Sequence, residues 1–416
     1  MARNAMRRIG EALILICVAG LVTAAQAVPE KKINEIRRPL FSAPAIVRQG
    51  DSFDIVLKIE GDKKPSRTTL VAVADSYSAV GIKLTEDGAG QDGIIYKAAV
   101  PANAPEALYD LRILFTDGTT DAQLHSVKII KEFKKDYDFV HLTDIHFNDP
   151  INDGKDSNLA RIKLLYEIAK VNPEFILFGG DLMLNPVTYD RDYPTGYQIL
   201  TEYVKSPIFM VPGNHEQYID GRPSPKLDGR PYWESVYGPY YQAFNYGKLH
   251  FVGLNTFDYA DIWRDRYDEK LIMIGTAANG NVGPEQFEWL KKDVKAATEA
   301  GETPVFFTHV PIGMLQGGKK LGYAPPAVVK GPSLDTFLKF MEEYKVPLVF
   351  VGHMHMNYDN KKLTPVTTEI MTQAAGTGGY PAGEHDMLWG FRIVHVRNGE
   401  ITGSEIRQIS HESSQP

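Results

Sequence analysis

Apolar and polar residues alternate with a period of two along the first third of the chain; beyond it, short apolar runs are separated by helical stripes. From Val28 to about Lys131 the alternation recurs in Phe53 to Ile59, Thr68 to Val73, Tyr109 to Phe115 and Leu124 to Ile130, the spacing of half-buried strands. Between the runs lie Gly61-Asp62, Asp87-Gly88, Asp92-Gly93 and Asp117-Gly118, dipeptides that supply positive φ in tight turns. These features predict an all-β unit over 28–132, a small antiparallel sandwich. It holds no titratable cluster, and His125 reads as a partly buried strand side chain rather than a ligand. A spacer, a lid against the second unit, and a glycan- or surface-binding module are all open to it.

The charged connector Lys131-Glu132-Phe133-Lys134-Lys135-Asp136 ends this rhythm, and strands then alternate with helices over 133–416. Strands are predicted at Phe139 to Thr143, Phe175 to Gly179, Ile208 to Val211, His250 to Leu254, Val305 to Thr308 and Leu348 to Val351. A helix over Ser157 to Lys170 places Leu159, Ile162, Tyr166 and Ala169 on one face. A second starts at Pro284, carries Phe287, Leu290 and Val294 as its stripe and stops at Gly301. Thr367 to Thr372, Phe391 to Val396 and Ile401 to Gln408 read as a second sheet. The 416 residues are more than one ordinary core accommodates, in keeping with two folded units.

Residues 1–27 read as an export signal: Arg3, Arg7 and Arg8 precede the apolar run Ala12 to Val22, and Ala25-Gln26-Ala27 offers small residues for cleavage. The run is shorter than the ~20 residues of a membrane span, so an exported chain, periplasmic or secreted, is expected, with no stable span. The single cysteine, Cys17, lies inside that run. Cleavage after Ala27 leaves no cysteine and excludes both a disulfide framework and a thiol catalyst. It also leaves 42 basic against 51 acidic residues, a net of −9, which gives no electrostatic footprint for a nucleic acid polymer.

Candidate chemistry is concentrated in five short segments: Asp144-Ile145-His146, Gly180-Asp181, Gly213-Asn214-His215-Glu216, His309, and Gly352-His353-Met354-His355. Most follow directly on a predicted strand, where open α/β sheets collect their functional groups. Five of the eleven histidines fall inside the pattern, which strand-capping polar residues alone do not explain. Asp144 and His146 are two residues apart, as are His353 and His355, so an extended backbone would point both members of each pair to one side. Carboxylates, imidazoles and one neutral amide form a donor set suited to Mn, Fe(II) or Zn.

In this order the five segments resemble the calcineurin-like metallophosphoesterase superfamily, over Asp138 to about Gln408. The resemblance implies two mixed β-sheets packed together and flanked by helices, which completes the expected fold class: an all-β, Ig/FnIII-like sandwich followed by an α/β metallophosphoesterase domain. It further implies that Asp144, His146 and His355 bind one divalent ion, Asn214, His309 and His353 a second, and that Asp181 bridges the two. A hydroxide between the ions would attack phosphorus in line, and His215 would act as the catalytic residue toward the leaving group. Glu216 would orient a neighbouring loop or satisfy local backbone donors. Purple acid phosphatases also carry an N-terminal sandwich, but their pattern has glycine where this chain has His146 and tyrosine where it has Leu184. The closer comparison is with bacterial cyclic-nucleotide-phosphodiesterase-like and sphingomyelinase-like enzymes.

A small phosphodiester or phosphomonoester is the expected substrate. Hydrolysis of a phospholipid or sphingomyelin-type headgroup, and a non-catalytic surface-binding protein with a structural metal site, are the alternatives. Specificity is expected in the intervening stretches Gln217 to Trp233 (Arg222, Lys226, Arg230), Tyr259 to Gly283 (Trp263, Arg264, Arg266, Tyr267) and Gly313 to Pro332 (Lys319, Lys320, Tyr323), whose cations and aromatics suit a base or a second phosphate. His385 is a further candidate for lining the pocket.

Overall fold

The computed structural model describes residues 31–149, 157–184, 186–220, 227–260, 279–319, 328–376 and 388–410. The expected export signal lies outside them. No helix among the described residues is long and apolar enough to cross a membrane.

The alternating segments of the first unit form eight strands in one hydrogen-bonded array. Its order is Ile36–Arg38, Ser52–Leu57, Gly93–Ala99, Ala79–Gly90, Pro65–Ala72, Ala107–Phe115, Thr120–Ile130 and Ala45–Arg48. Neighbours are antiparallel except the last pair, which runs parallel. The twelve-residue strand Ala79–Gly90 pairs through its first part with Pro65–Ala72 and through the rest with Gly93–Ala99, so the array folds over a single core. Period-two patterning decides what enters that core: Tyr109, Leu111, Ile113 and Phe115 are buried in it while Arg112 between them is exposed.

The second unit has four layers. One sheet has the order Ile208–Met210, Ile176–Phe178, Tyr137–Leu142, Leu388–Arg397 and Glu400–Ser410, with the first three parallel. The other has the order Gln242–Tyr246, Leu249–Leu254, Thr303–Thr308, Leu348–Val351, Thr368–Met371 and Tyr358–Lys362, with its four central strands parallel. Phe139, Leu177 and Phe209 of the first sheet meet Phe251, Phe307 and Phe350 of the second in the central core. Helices α1 (Ser157–Val171), α2 (Tyr189–Tyr203) and α3 (Gly229–Val236) cover the outer face of the first sheet, and α4 (Pro284–Glu299) and α5 (Leu334–Glu343) that of the second.

Two expectations are corrected here. The late strands do not share a sheet: Thr368–Met371 joins the parallel set of the second sheet, while Leu388–Arg397 pairs with Tyr137–Leu142 and carries Glu400–Ser410 at the edge of the first. On α1, Leu159 and Tyr166 face outward at 47% and 55% exposure, and the buried stripe is Ala160, Leu164, Leu165 and Ile168. Apolar residues run around much of this helix, so periodicity alone leaves the inward face undetermined. Burial of Arg161, whose guanidinium is held by backbone carbonyls, fixes it. No helix is predicted over α2, which contains Pro194, yet Tyr189, Tyr193, Tyr197 and Leu200 bury one face of it.

Residues before the first long strands are woven into the second unit. The amides of Lys32 and Ile33 donate to the Ser235 carbonyl, and Phe41 is buried against Tyr197, with ring centroids 5.5 Å apart. The Ser42 carbonyl accepts from Met210 N at 2.9 Å, which occupies the open edge of the first sheet. His125 lies at this seam, 5% exposed and 6.0 Å from the Phe41 ring, its backbone amide donating to Asp110 Oδ1 at 2.9 Å. Burial pushes its pKa down to about 4; Asp110 opposes the fall and Lys205 adds to it. The unfolded chain protonates this imidazole near 6.5. Protons therefore bind the unfolded state preferentially between about pH 4 and 6.5, and stability falls as pH drops through that window, by on the order of 3 kcal/mol from this group. Unfolding free energies of wild type and His125→Leu across the window test this: the wild-type slope is expected to be steeper, and equal slopes would remove His125 as its source.

Candidate metal centre

The parallel strands of both sheets end at the same edge, and the five motif segments are the loops that leave them. Asp144 and His146 follow Tyr137–Leu142, Asp181 follows Ile176–Phe178, Asn214 follows Ile208–Met210, His309 follows Thr303–Thr308, and His353 and His355 follow Leu348–Val351. The paired residues do not converge by extended alternation, as the sequence suggests. Asp144, His146, Asp181, His353 and His355 all have φ between 43° and 74°, the left-handed region that costs a side-chain-bearing residue roughly 1–3 kcal/mol. Tight left-handed turns, rather than a pleat, aim these side chains. Two motif glycines allow the turns to touch: a Cβ at Gly213 would lie 2.1 Å from Asp181 Oδ1, and one at Gly352 would lie 2.1 Å from Thr143 Oγ1 and 2.5 Å from Asp144 Oδ2.

The structure brings the candidate ligands into three overlapping groups: Asp144, His146 and His355; His146, Asp181 and His215; and Asp181, His309 and His353, the ligand atoms of each within 4.8 Å of one another. His355 Nε2 is 3.2 Å from Asp144 Oδ1, and His309 Nε2 is 3.0 Å from Asp181 Oδ2. His146 Nε2 and His215 Nε2 each lie 3.8 Å from Asp181 Oδ2, and His353 Nδ1 is 3.2 Å from His309 Nε2. Asp144, His146, Asp181, Asn214 and His309 are at most 1% exposed, while the His215 and His355 side chains are 24% and 20% exposed. The centre is thus a buried pit with an open mouth on the His215 and His355 side.

Backbone carbonyls fix the imidazoles. His146 Nδ1 bonds to Met183 O at 2.9 Å, His309 Nδ1 to Gly179 O at 2.8 Å, and His215 Nδ1 to Leu184 O. A carbonyl only accepts, so each Nδ1 carries the proton and each Nε2 is turned to the centre. Asp144 is held likewise: its Oδ2 accepts from Thr143 Oγ1 at 2.6 Å and from His353 N at 3.0 Å.

His146 Nε2 and Asn214 Oδ1 are buried with no hydrogen-bond partner among the described residues, which costs about 1–3 kcal/mol per group unless something else meets them. Burial pushes the His146 pKa down to about 3 and that of His353 to about 4. At His309 burial is outweighed by the Asp181 and Asp144 carboxylates, and the pKa rises to about 9; both carboxyls are held below the usual range, the imidazoles overcoming their burial. Buried anionic oxygens beside the neutral imidazoles of His146 and His353 and an unmatched amide oxygen form a donor set that fits divalent cations.

Glu216 does not face the centre. Its carboxylate is fully buried, with Oε1 accepting from Leu182 N at 2.6 Å and Met183 N at 2.8 Å, and Oε2 from Asp181 N at 2.8 Å and Gly213 N at 2.7 Å. Both roles weighed from sequence are present, since one side chain satisfies local donors and ties the Asp181 turn to the Asn214 turn. Two buried arginines escaped the sequence reading. Arg161 donates to Ile145 O and Gly376 O at 2.5 and 2.6 Å; Arg392 donates to Met371 O at 2.9 Å and to Asn357 Oδ1. Each secures a loop of the centre, and each looks like an ordinary surface cation in sequence. Arg222, Lys226, Trp263, Arg264, Arg266, Tyr267, Lys320, Tyr323 and His385 lie outside the described residues. Arg230 Nη2 is engaged by Tyr259 O at 2.7 Å.

The sequence profile of the calcineurin-like phosphoesterases matches residues 137–357. A stretch of 85 residues is 34% identical to a protein of Pseudoalteromonas sp. (strain SM9913) described as a probable cyclic nucleotide phosphodiesterase; it covers 18% of this chain and 30% of that relative. Among solved structures, the chain is similar to a purple acid phosphatase from yellow lupin (Lupinus luteus) seeds, with 14% identity and a TM-score of 0.48 over 88% of this chain and 73% of that one. It is also similar to a dimetal phosphatase from Danio rerio, with 15% identity and a TM-score of 0.43 over 66% of this chain and 99% of that one. With its profile match spanning more than half of the 416 residues, the chain belongs to the calcineurin-like phosphoesterase family.

Proposed function

We propose that this chain is an exported two-metal phosphoesterase that hydrolyses a small phosphate ester. The observation that carries this reading is the convergence of two buried carboxylates and four imidazoles at a single sheet edge, where the His146 Nε2 and Asp144 Oδ1 lone pairs, and that of Asn214 Oδ1 on the adjoining loop, are met by no described protein donor. Asp144, His146 and His355 would hold one divalent ion and Asn214, His309 and His353 the other, with Asp181 between them. Bound ions would supply a water-derived nucleophile at neutral pH and neutralise charge on the phosphate. A diester is the favoured substrate class, supported by the relative described as a probable cyclic nucleotide phosphodiesterase. The division is an export signal over 1–27, an Ig/FnIII-like module over 28–132 and the hydrolase over 133–416.

The protein's own groups do the rest. Asp181 is oriented by the Glu216 clamp and accepts His215 N at Oδ1, 3.0 Å away. His215 is placed at the open mouth with Nδ1 tied to the Leu184 carbonyl, leaving Nε2 to hold a proton toward a departing oxygen. Tyr189 fixes the same loop by donating its hydroxyl to the His215 carbonyl.

Turnover of chelator-stripped, Mn-reconstituted protein on bis-p-nitrophenyl phosphate and p-nitrophenyl phosphate is expected to depend on added metal, to favour the diester, and to vanish in Asp181→Asn; full activity in chelator would defeat the proposal. His215→Asn is expected to keep its metal content while losing roughly 10²- to 10⁴-fold in rate on esters of poorly leaving alcohols, the usual worth of a placed acid. Elemental analysis beside the kinetics separates the roles, because loss of metal in step with rate would make His215 a ligand instead.

A further inference from the structure

We infer that Tyr218 is a positioning residue for the proposed second metal subsite, fixing which end of the Asn214 carboxamide faces the centre. The inference rests on the two-metal reading above and concerns a question that reading leaves open. A carboxamide presents an oxygen on one end and two N–H donors on the other, and only the oxygen binds a cation. Rotating the amide by half a turn would remove a ligand and set N–H groups against positive charge.

The structure holds one orientation. Asn214 Nδ2 donates to the Tyr218 hydroxyl, while Oδ1 is buried with no hydrogen-bond partner among the described residues. Tyr218 is itself immobilised at 4% exposure: its ring lies 4.7 Å from the His215 ring and 6.1 Å from that of Phe257, at 49° and 76°. The one-turn 3-10 helix His215–Gln217 brings residue 218 back beside residue 214. Gln217 locks that turn, donating to Gly213 O at 3.2 Å and exchanging bonds with Asn255 at 2.8 and 3.2 Å. One residue therefore touches both the amide of the proposed ligand and the ring of the proposed acid. The spacing of four residues between Asn214 and Tyr218 is its only mark in the sequence.

An aspartate at 214 has two equivalent oxygens and needs no such guide, which provides the test. Mn(II) is titrated calorimetrically into the chelator-stripped full chain for wild type, Tyr218→Phe, Asn214→Asp and the double variant. Wild type is expected to take two ions per chain. Tyr218→Phe, which keeps the packed ring, is expected to weaken one site by about tenfold, the usual cost of losing a group that orients a ligand, and to leave the other within about twofold. In the Asn214→Asp background the same change is expected to cost less than about twofold. Equal loss in both backgrounds, or no loss beside Asn214, overturns the assignment and leaves Tyr218 a packing residue. Fewer than two ions bound by wild type would instead overturn the two-metal reading, and this assignment with it.

Discussion

Taking the carboxylates of Asp144, Asp181 and Glu216 out of water at one sheet edge costs several kcal/mol per ion unless each is met by opposite charge or by donors, and the architecture around that edge answers this cost. Glu216 is met by four backbone N–H groups from two different turns. Asp181 is met by its backbone partners and by His309, whose pKa its field lifts to about 9. Asp144 is met on one oxygen by Thr143 and the His353 amide, and its other oxygen is left to His355 and the centre. The unevenness carries the chemistry: Glu216 is fully satisfied and structural, whereas Asp144 and Asp181 keep an oxygen turned toward the space that cations suit.

The same constraint explains the backbone. Seven candidate ligands from five loops have to reach a volume only a few ångströms across, and straight continuations of parallel strands would carry their side chains past one another. Left-handed turns at Asp144, His146, Asp181, His353 and His355 bend three of the five loops back over the sheet edge, and Gly213 and Gly352 remove the side chains that would keep neighbouring turns apart. The strain is held by anchors outside the centre, namely the Glu216 clamp and the buried guanidinium groups of Arg161 and Arg392. The N-terminal segment contributes from farther away, since Phe41 and Ser42 close the edge and the helical cover of the sheet that carries Asp181 and Asn214.

By itself the sequence determined the principal alternating strands of the first unit, the parallel strands of the second through their apolar runs, and the residue types available for metal chemistry, but not the edge strands Gln242–Tyr246 and Tyr358–Lys362. These features are local: a period of two or a strand followed by Gly-Asp needs no knowledge of distant neighbours. Tertiary structure alone decided which face of α1 is buried, which sheet takes each late strand, and which side chains hold the ligands in place. Helix α1 is apolar on several faces, so burial of Arg161 beneath the Ile145 and Gly376 carbonyls had to choose among them. Glu216, Tyr218 and Arg392 act on partners brought to them by folded loops, and a hydrogen bond between residues far apart in the chain, such as Arg392 to Asn357, leaves no periodic trace in either segment.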